Sequence, residues 1–188
     1  MKSKKEKYAA VLLCIRGIQT DIEWSMFPSA ALTADLAISL LSEDCWREEY
    51  DLSLTVYNNA AEIYYAIGDF DKVSEATAIV LENARVYSDK LQAYSTQISV
   101  LSSTLGKSGD SIQLGLKVLK EFGETFPSKC NMRHVRREFL RTKFMMRNKS
   151  TEAIRRLPNI VDANSVACLR ILNLIFLPAY TQEPFLVP

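Results

Sequence analysis

At 188 residues, the chain has room for roughly four or five helical hairpins, and its composition excludes several classes of protein. With 48% hydrophobic and 24% charged residues and only six Gly and six Pro, it is typical of neither a disordered nor a fibrous chain. A formal net charge of +1 provides no general attraction to nucleic acid or to a membrane surface. The composition predicts a helix-rich globular protein.

The spacing of the cysteines and the length of the apolar runs indicate the cellular compartment of the protein. The four cysteines are far apart and form no Cys-x-x-Cys pair, which favours free thiols in a reducing compartment and therefore a cytoplasmic location. These residues are Cys14, Cys45, Cys130 and Cys168. The apolar run at 171–179 is about half the roughly 20 residues that a membrane span needs, and Pro178 interrupts it. We expect no membrane partner.

The N-terminal residues show the weakest helical-repeat pattern in the chain. Residues 1–28 match no repeat and are expected to be partly helical, whereas residues 29–188 are predicted to form one helical-repeat domain. Within that domain, a helix is predicted over 30–41, after a break at Pro28.

The segment from 46 to 87 has the pattern of a helical hairpin. Apolar residues at intervals of three and four predict a helix over 46–67, and the small residues Ala60 and Ala61 allow a second helix to approach closely. Gly68 permits the positive φ that ends a helix, and a second helix is predicted over 71–87. Two residues are candidates for its N-cap, Asp69 and Asp71.

The pattern repeats further along the chain. An apolar stripe predicts a helix over 91–105, and a turn at 106–110 leads to a returning helix over 112–122. Further helices are predicted over 132–147, from about Ser150, and from an N-cap at Asp162 to a point before Pro178. Setting residues 79–81 over 117–119 gives a period of 38 residues, slightly longer than the 34 of a standard tetratricopeptide repeat. The predicted fold class is all-α, with tetratricopeptide-like stacked helical hairpins forming an α-α superhelix.

An ordered series of short motifs resembles one group of proteins. It begins with Trp46 and Tyr50-Asp51-Leu52-Ser53-Leu54, continues through Ala60-Ala61-Glu62, Gly68-Asp69-Phe70 and Ser88-Asp89-Lys90, and ends with Leu157-Pro158-Asn159 and Pro178-Ala179-Tyr180. The series resembles the helical-repeat region of large AAA or STAND-type signalling ATPases, in which a kinase-like domain, a P-loop ATPase and often a sensor histidine kinase share one chain. The resemblance implies a repeat module within, or derived from, such a protein. The kinase and ATPase motifs of that family are absent from this sequence.

The sequence matches known catalytic motifs only weakly. Gly106-Lys107-Ser108 has the end of a phosphate loop, but Leu101 occupies the position of the required first Gly, and the triplet follows a predicted helix instead of a strand. His134 is the single histidine, which removes most metal sites and histidine-based relays. We expect no enzyme activity, no cofactor and no metal.

Two sets of residues are candidates for partner binding. The first set would line the inner face of the superhelix: Asn58, Asn59, Tyr65, Tyr94 and Gln97. Tyr65 and Tyr94 have the alternative role of packing between hairpins. The second set recurs at intervals of three and four along a basic helix: Arg133, Arg136, Arg137 and Arg141.

Charge is segregated along the chain. Residues 43–89 contain eleven acidic and three basic residues, whereas residues 129–156 contain ten basic and two acidic residues. Three interpretations of the basic segment remain open: a solvated helix face, a surface for an acidic partner or for the chain's own acidic segment, and a nucleic-acid-binding surface.

The expected function is a non-catalytic protein-protein interaction scaffold, with a protein partner or neighbouring domains of the same full-length chain. The alternative is a nucleic-acid-binding helical protein that uses the basic helix over 133–147. Balanced net charge argues against this alternative.

Overall fold

A computed structural model describes residues 4–104, 106–127 and 131–182. Within these ranges all regular secondary structure is helical, which confirms the all-α prediction. The chain divides into two compact units, Met1–Val100 and Leu101–Pro188. The predicted division near residue 28 stays a prediction. Leu105 and Cys130, which entered the sequence predictions, lie outside the described residues.

The helices follow one another with short connections. The first unit contains α1 (Lys4–Glu23), α2 (Phe27–Leu40), α3 (Cys45–Glu48), α4 (Tyr50–Ile67), α5 (Phe70–Asn83), a short 3-10 helix (Tyr87–Lys90) and most of α6 (Leu91–Ser103). The second unit contains α7 (Ser108–Glu121), α8 (Met132–Met146), α9 (Thr151–Arg155) and α10 (Ala163–Gln182).

Small side chains form much of the core of the first unit. Helix α2 packs against both α1 and α4, and α4 packs against α5. The alanines at these contacts are almost completely buried: Ala30, Ala34, Ala37, Ala60, Ala61 and Ala76. Because alanine adds little bulk, the helix backbones lie close together, and larger residues such as Ile18 and Ile63 fill the remaining space.

The turn between α4 and α5 follows the predicted chemistry. Gly68 has a φ of 79°, and its N–H donates to carbonyl oxygens at the end of α4. Asp69 caps α5, because its Oδ1 accepts a hydrogen bond from the backbone N–H of Lys72 at 3.2 Å. These observations, with the packing of α4 on α5, confirm the predicted helical hairpin. Its connection has two residues, one fewer than predicted, because α5 begins at Phe70.

Two predicted helices are shorter than their apolar patterns. The helix predicted over 46–67 is broken at Glu49, whose ψ of 50° is not helical and whose carbonyl oxygen accepts from Ser53 at the start of α4. The helix predicted over 71–87 ends at Asn83, and Ala84 is extended. The Arg85 N–H donates to the hydroxyl oxygen of Tyr50 at 2.8 Å, so this donor is used outside the helix.

Both predicted proline breaks are wrong. Pro28 lies in the first turn of α2, where a missing N–H removes no intrahelical hydrogen bond. Pro178 lies inside α10, which continues to Gln182. Pro178 and Ala179 are both buried, and burial of apolar surface offsets the lost hydrogen bond at this position.

The second unit has one main helix pair. Helix α7 packs against α10, with Gly115 of α7 facing the side chain of Ile175. The predicted N-cap of α10 is confirmed, since Asp162 Oδ2 accepts from the Ser165 N–H at 2.7 Å. Helix α8, in contrast, contains no buried residue.

Candidate interaction surfaces

The first predicted set of binding residues lies on two helices. Asn58, Asn59 and Tyr65 are on α4, and Tyr94 and Gln97 are on α6. Asn58 is only 6% exposed, and its Oδ1 has no hydrogen-bond partner within the described ranges. The other four side chains are half-buried. Their role in partner binding stays a prediction, but Asn58 is the least accessible of the five.

Contacts within the unit hold three of these side chains. Gln97 Nε2 donates to Thr77 Oγ1 at 3.0 Å. The Tyr94 ring lies 6.0 Å from that of Tyr87, and the Tyr65 ring lies 6.4 Å from that of Phe70. Tyr65 and Tyr94 are therefore both packed and partly accessible.

The second predicted set lies on α8 and is exposed throughout. Arg133, Arg136, Arg137 and Arg141 all face solvent. Glu138 binds two of them, with Arg137 Nε at 3.0 Å and Arg141 Nη1 at 3.5 Å from its carboxylate. Exposed ion pairs of this kind contribute little to stability. The helix has a strongly basic surface because it contains five Arg and Lys residues and one Glu.

A polar cluster that the sequence did not predict joins three helices of the first unit. The Tyr64 hydroxyl on α4 donates to Asp35 Oδ1 on α2 at 2.5 Å. Lys72 Nζ on α5 donates to both carboxylate oxygens of Asp35, at 3.0 and 2.9 Å. The same Nζ lies 5.0 Å from the centre of the Tyr64 ring, within range of a cation-π interaction. The cluster lines a surface groove of about 220 Å³ together with Ile38 and Glu75.

The contacts of the cluster shift its protonation equilibria. Partial burial acts to raise the pKa of Asp35, but the hydrogen bonds from Tyr64 and Lys72 outweigh this effect and lower it. The hydrogen bond to Asp35 raises the pKa of Lys72, and burial followed by the bond to Asp35 raises the pKa of Tyr64. Each shift favours the protonation state present at neutral pH and so strengthens these contacts. Because the contacts join α2, α4 and α5, we call Asp35, Tyr64 and Lys72 the Asp35 clamp.

One sequence signal could have indicated this clamp. Asp35 is the only charged residue in the apolar helix α2. A charged side chain on such a helix needs a partner, but the partners are 29 and 37 positions away in sequence, and only the fold identifies them as Tyr64 and Lys72.

Removal of the Asp35 charge is expected to destabilise the first unit at neutral pH. For Asp35→Asn we expect a lower urea midpoint and a loss of about 1–2 kcal/mol, mainly from the charged hydrogen bond with the buried Tyr64 hydroxyl. Because the pKa of Asp35 is lowered on folding, its contribution is present above the unfolded pKa of about 4 and is lost as the pH falls through the folded pKa. Urea titrations from neutral to acidic pH measure the difference.

The exposed carboxylate of Asp71 on α5 provides the matched control. Asp71→Asn should produce a smaller change at neutral pH. A gap between wild type and Asp35→Asn that persists unchanged in acid would contradict the clamp.

A second cluster fixes the connection between α5 and α6. The Tyr50 hydroxyl donates to Asp89 Oδ2 at 2.5 Å, and the Arg85 guanidinium lies 4.1 Å from the centre of the Tyr50 ring. The Trp46 ring packs edge-on against Tyr50 at 5.8 Å. Burial, and then the bond to Asp89, raise the pKa of Tyr50 and keep its hydroxyl protonated. This cluster attaches the connecting segment to α4 and explains why α5 ends early.

Two further properties of the described residues concern metal binding and membrane insertion. No group of three or more His, Cys, Asp or Glu side chains with the geometry of a metal site occurs among residues 4–104, 106–127 and 131–182. By length and composition, α10 is the one helix in this part of the chain that is long and apolar enough to cross a membrane. Its buried face is the one that packs in the second unit: Ala167, Cys168, Ile171, Ile175, Pro178 and Ala179.

Comparison of the chain with family models, curated proteins and solved structures found no match.

Proposed function

We propose that the chain is a non-catalytic scaffold for protein-protein interaction, built from tetratricopeptide-like helical hairpins. The order of its motifs further suggests a repeat module within, or derived from, an ATP-dependent signalling protein of the AAA or STAND type. Its partner would then be another protein or a neighbouring domain of the same full-length chain.

The α4–α5 hairpin is the observation that carries this proposal. It combines a two-residue connection, a left-handed Gly68 and the buried small residues Ala60, Ala61 and Ala76. Helices α1 and α2 supply a second packed pair, joined by a three-residue connection. Repeated hairpins with small residues at their contacts are typical of repeat proteins that bind other proteins.

The half-buried aromatic residues supply the proposed contact points. Tyr65 and Tyr94 each combine a packed ring with accessible surface, and Asn59 is half-buried on the same helix as Tyr65. Tyrosines in this state lose little conformational freedom on binding, and they are enriched at the centres of protein interfaces.

Photo-crosslinking tests this assignment. A benzophenone amino acid placed at Tyr65 or at Tyr94 of the full chain should yield a discrete crosslinked protein species in cells. Tyr8 on α1, which is 43% exposed and outside the proposed surface, is the matched control position. Crosslinks that are absent at both sites, or identical to those from Tyr8, would contradict the proposal.

The alternative function is nucleic-acid binding through α8. The observation that favours it is the exposure of the four arginines Arg133, Arg136, Arg137 and Arg141 on one helix. Phosphate contacts would make the affinity fall steeply with salt. Saturable binding of single-stranded RNA that weakens steeply with salt would support this alternative.

A further inference from the structure

Helix α8 combines exposed apolar and exposed basic residues. None of its residues from Met132 to Met146 is buried. Its large apolar side chains are mostly exposed, including Phe139 at 60%, Leu140 at 63% and Phe144 at 76%. Helices of folded proteins normally bury one face, so an amphipathic helix with no buried residue indicates a surface that binds a partner.

Local contacts keep α8 helical in spite of this exposure. Asn131 Oδ1 accepts from the backbone N–H groups of Arg133 and His134, at 3.0 and 3.3 Å. In return, His134 Nδ1 accepts from the Asn131 N–H at 3.3 Å, which completes a capping box. The helix is therefore formed and capped before it binds anything.

The charge on α8 is unbalanced. The helix contains five basic residues, Arg133, Arg136, Arg137, Arg141 and Lys143, against the single acidic residue Glu138. Arg133, Arg136 and Lys143 have no ion-pair partner among the described residues. Charge complementarity points to an acidic partner.

The arrangement of apolar residues distinguishes a protein groove from a planar membrane. Met132, Phe139 and Met146 recur every seven residues and share one side of the helix. Phe144 follows Phe139 by five residues, which at 3.6 residues per turn places it about 140° further round the helix. A membrane surface could bury only one of these sides. A partner that encloses the helix could bury both.

Nucleic acid fits the same surface less well. Phosphates could pair with the arginines, but they would leave Met132, Phe139 and Met146 in contact with water. An acidic protein with an apolar groove satisfies both the charge and the apolar side chains, because basic amphipathic helices are the usual ligands of such grooves.

We infer that α8 is a target helix for an acidic, calcium-loaded EF-hand protein of the calmodulin class. Such proteins expose methionine-rich apolar grooves when calcium binds, and two such lobes can enclose one helix. Phe139 and Phe144 would enter the two grooves, and the arginines would face the acidic rims. This inference goes beyond the proposed function, because α8 is a different helix from those that carry Tyr65 and Tyr94.

Calorimetric titration of the full chain with calmodulin tests the inference. We expect saturable one-to-one binding in calcium buffer and no binding when EDTA replaces calcium. The double variant Phe139→Ala/Phe144→Ala should bind about 30-fold more weakly, which corresponds to about 2 kcal/mol. Reversal of charge in Arg136→Glu/Arg137→Glu should weaken binding about tenfold, with a smaller salt dependence.

The controls separate loss of contact from loss of fold. Because Phe139 and Phe144 are exposed, their double variant should keep the wild-type circular dichroism spectrum and urea midpoint. Leu32→Ala removes a side chain on α2 that is 72% exposed, and it should bind calmodulin as the wild type does.

Several results would overturn the inference. These are the absence of calcium-dependent binding, binding that survives Phe139→Ala/Phe144→Ala, and a preference for phosphatidylserine vesicles or single-stranded RNA over calmodulin. If calmodulin fails but crosslinks from Tyr65 and Tyr94 persist, the inference fails and the proposed scaffold function stands. If the crosslinks fail as well, both are wrong.

Discussion

Replacement of Ala61 by Leu is expected to lower the free energy of unfolding of the first unit by about 1–3 kcal/mol. Ala61 is 1% exposed and lies in the core cluster with Ile18, Ala30 and Val73. A larger side chain at this position can be accommodated only if the packed helices move apart, which would loosen the neighbouring contacts.

Tryptophan fluorescence during urea unfolding measures this effect selectively. The only two tryptophans, Trp24 and Trp46, both lie in the first unit, so their emission reports that unit. Ala66→Leu makes the same chemical change at an exposed position of α4 and should move the urea midpoint little. Equal effects of the two substitutions would show that the contact is not close-packed.

Gly115→Ala is expected to destabilise the second unit, although alanine is the better helix former. In a helix without close neighbours, this change stabilises by about 1 kcal/mol. Here the new Cβ would lie 2.4 Å from Cγ2 of Ile175, so this side chain would have to shift, and it is only 4% exposed. We expect the steric cost to prevail, with a net loss of about 1–3 kcal/mol.

Two companion variants test whether contact with Ile175 causes the loss of stability in Gly115→Ala. In an Ile175→Ala background, the clashing Cγ2 is gone, so Gly115→Ala should become neutral or stabilising. In an Ile175→Val background, Cγ2 remains and the penalty should persist. Urea unfolding followed by far-UV circular dichroism, with a double-mutant cycle, measures the coupling.

Gly109 offers a control on the same helix. A Cβ at Gly109 would meet only Gln182 Oε1 at 3.7 Å, an ordinary contact. Gly109→Ala should therefore leave stability unchanged or raise it slightly. A loss as large as that of Gly115→Ala would exclude steric contact with Ile175 as the explanation.

Local sequence chemistry predicted the α4–α5 hairpin because its determinants lie within a few residues of each other. Gly68 ends one helix and Asp69 caps the next, and both effects depend only on backbone geometry nearby. The caps at Asp162 and Ser150 were likewise close to the predicted helix starts.

Tertiary contacts account for the boundaries that the sequence did not predict. The apolar periodicity continues past Asn83, but Tyr50 binds the N–H of Arg85 and draws the chain away from the helix. Pro178 is a helix breaker in isolation, yet packing of α10 keeps it in a helix. The Asp35 clamp depends on residues far apart in sequence, so no local pattern could identify it.

The candidate binding residues also show that a local sequence pattern does not predict tertiary contacts. Helical spacing predicted that the four arginines share one helix, and the structure places all four on α8 with exposed side chains. Spacing alone did not distinguish Asn58, which is buried, from Asn59, which is half-buried. Adjacent residues point about 100° apart around a helix, and only the packing of neighbouring helices determines which of the two directions is covered.

The order of helix contacts has a consequence for how the chain folds during synthesis. In the first unit, α1 packs on α2 and α4 packs on α5, so each pair can form as soon as both members have left the ribosome. In the second unit, α7 packs on α10, and the whole of α8 and α9 is synthesised between them. The face of α7 that packs on α10 therefore lacks this contact until α10 has been synthesised. The nascent second unit is the stage at which we expect chaperones to bind.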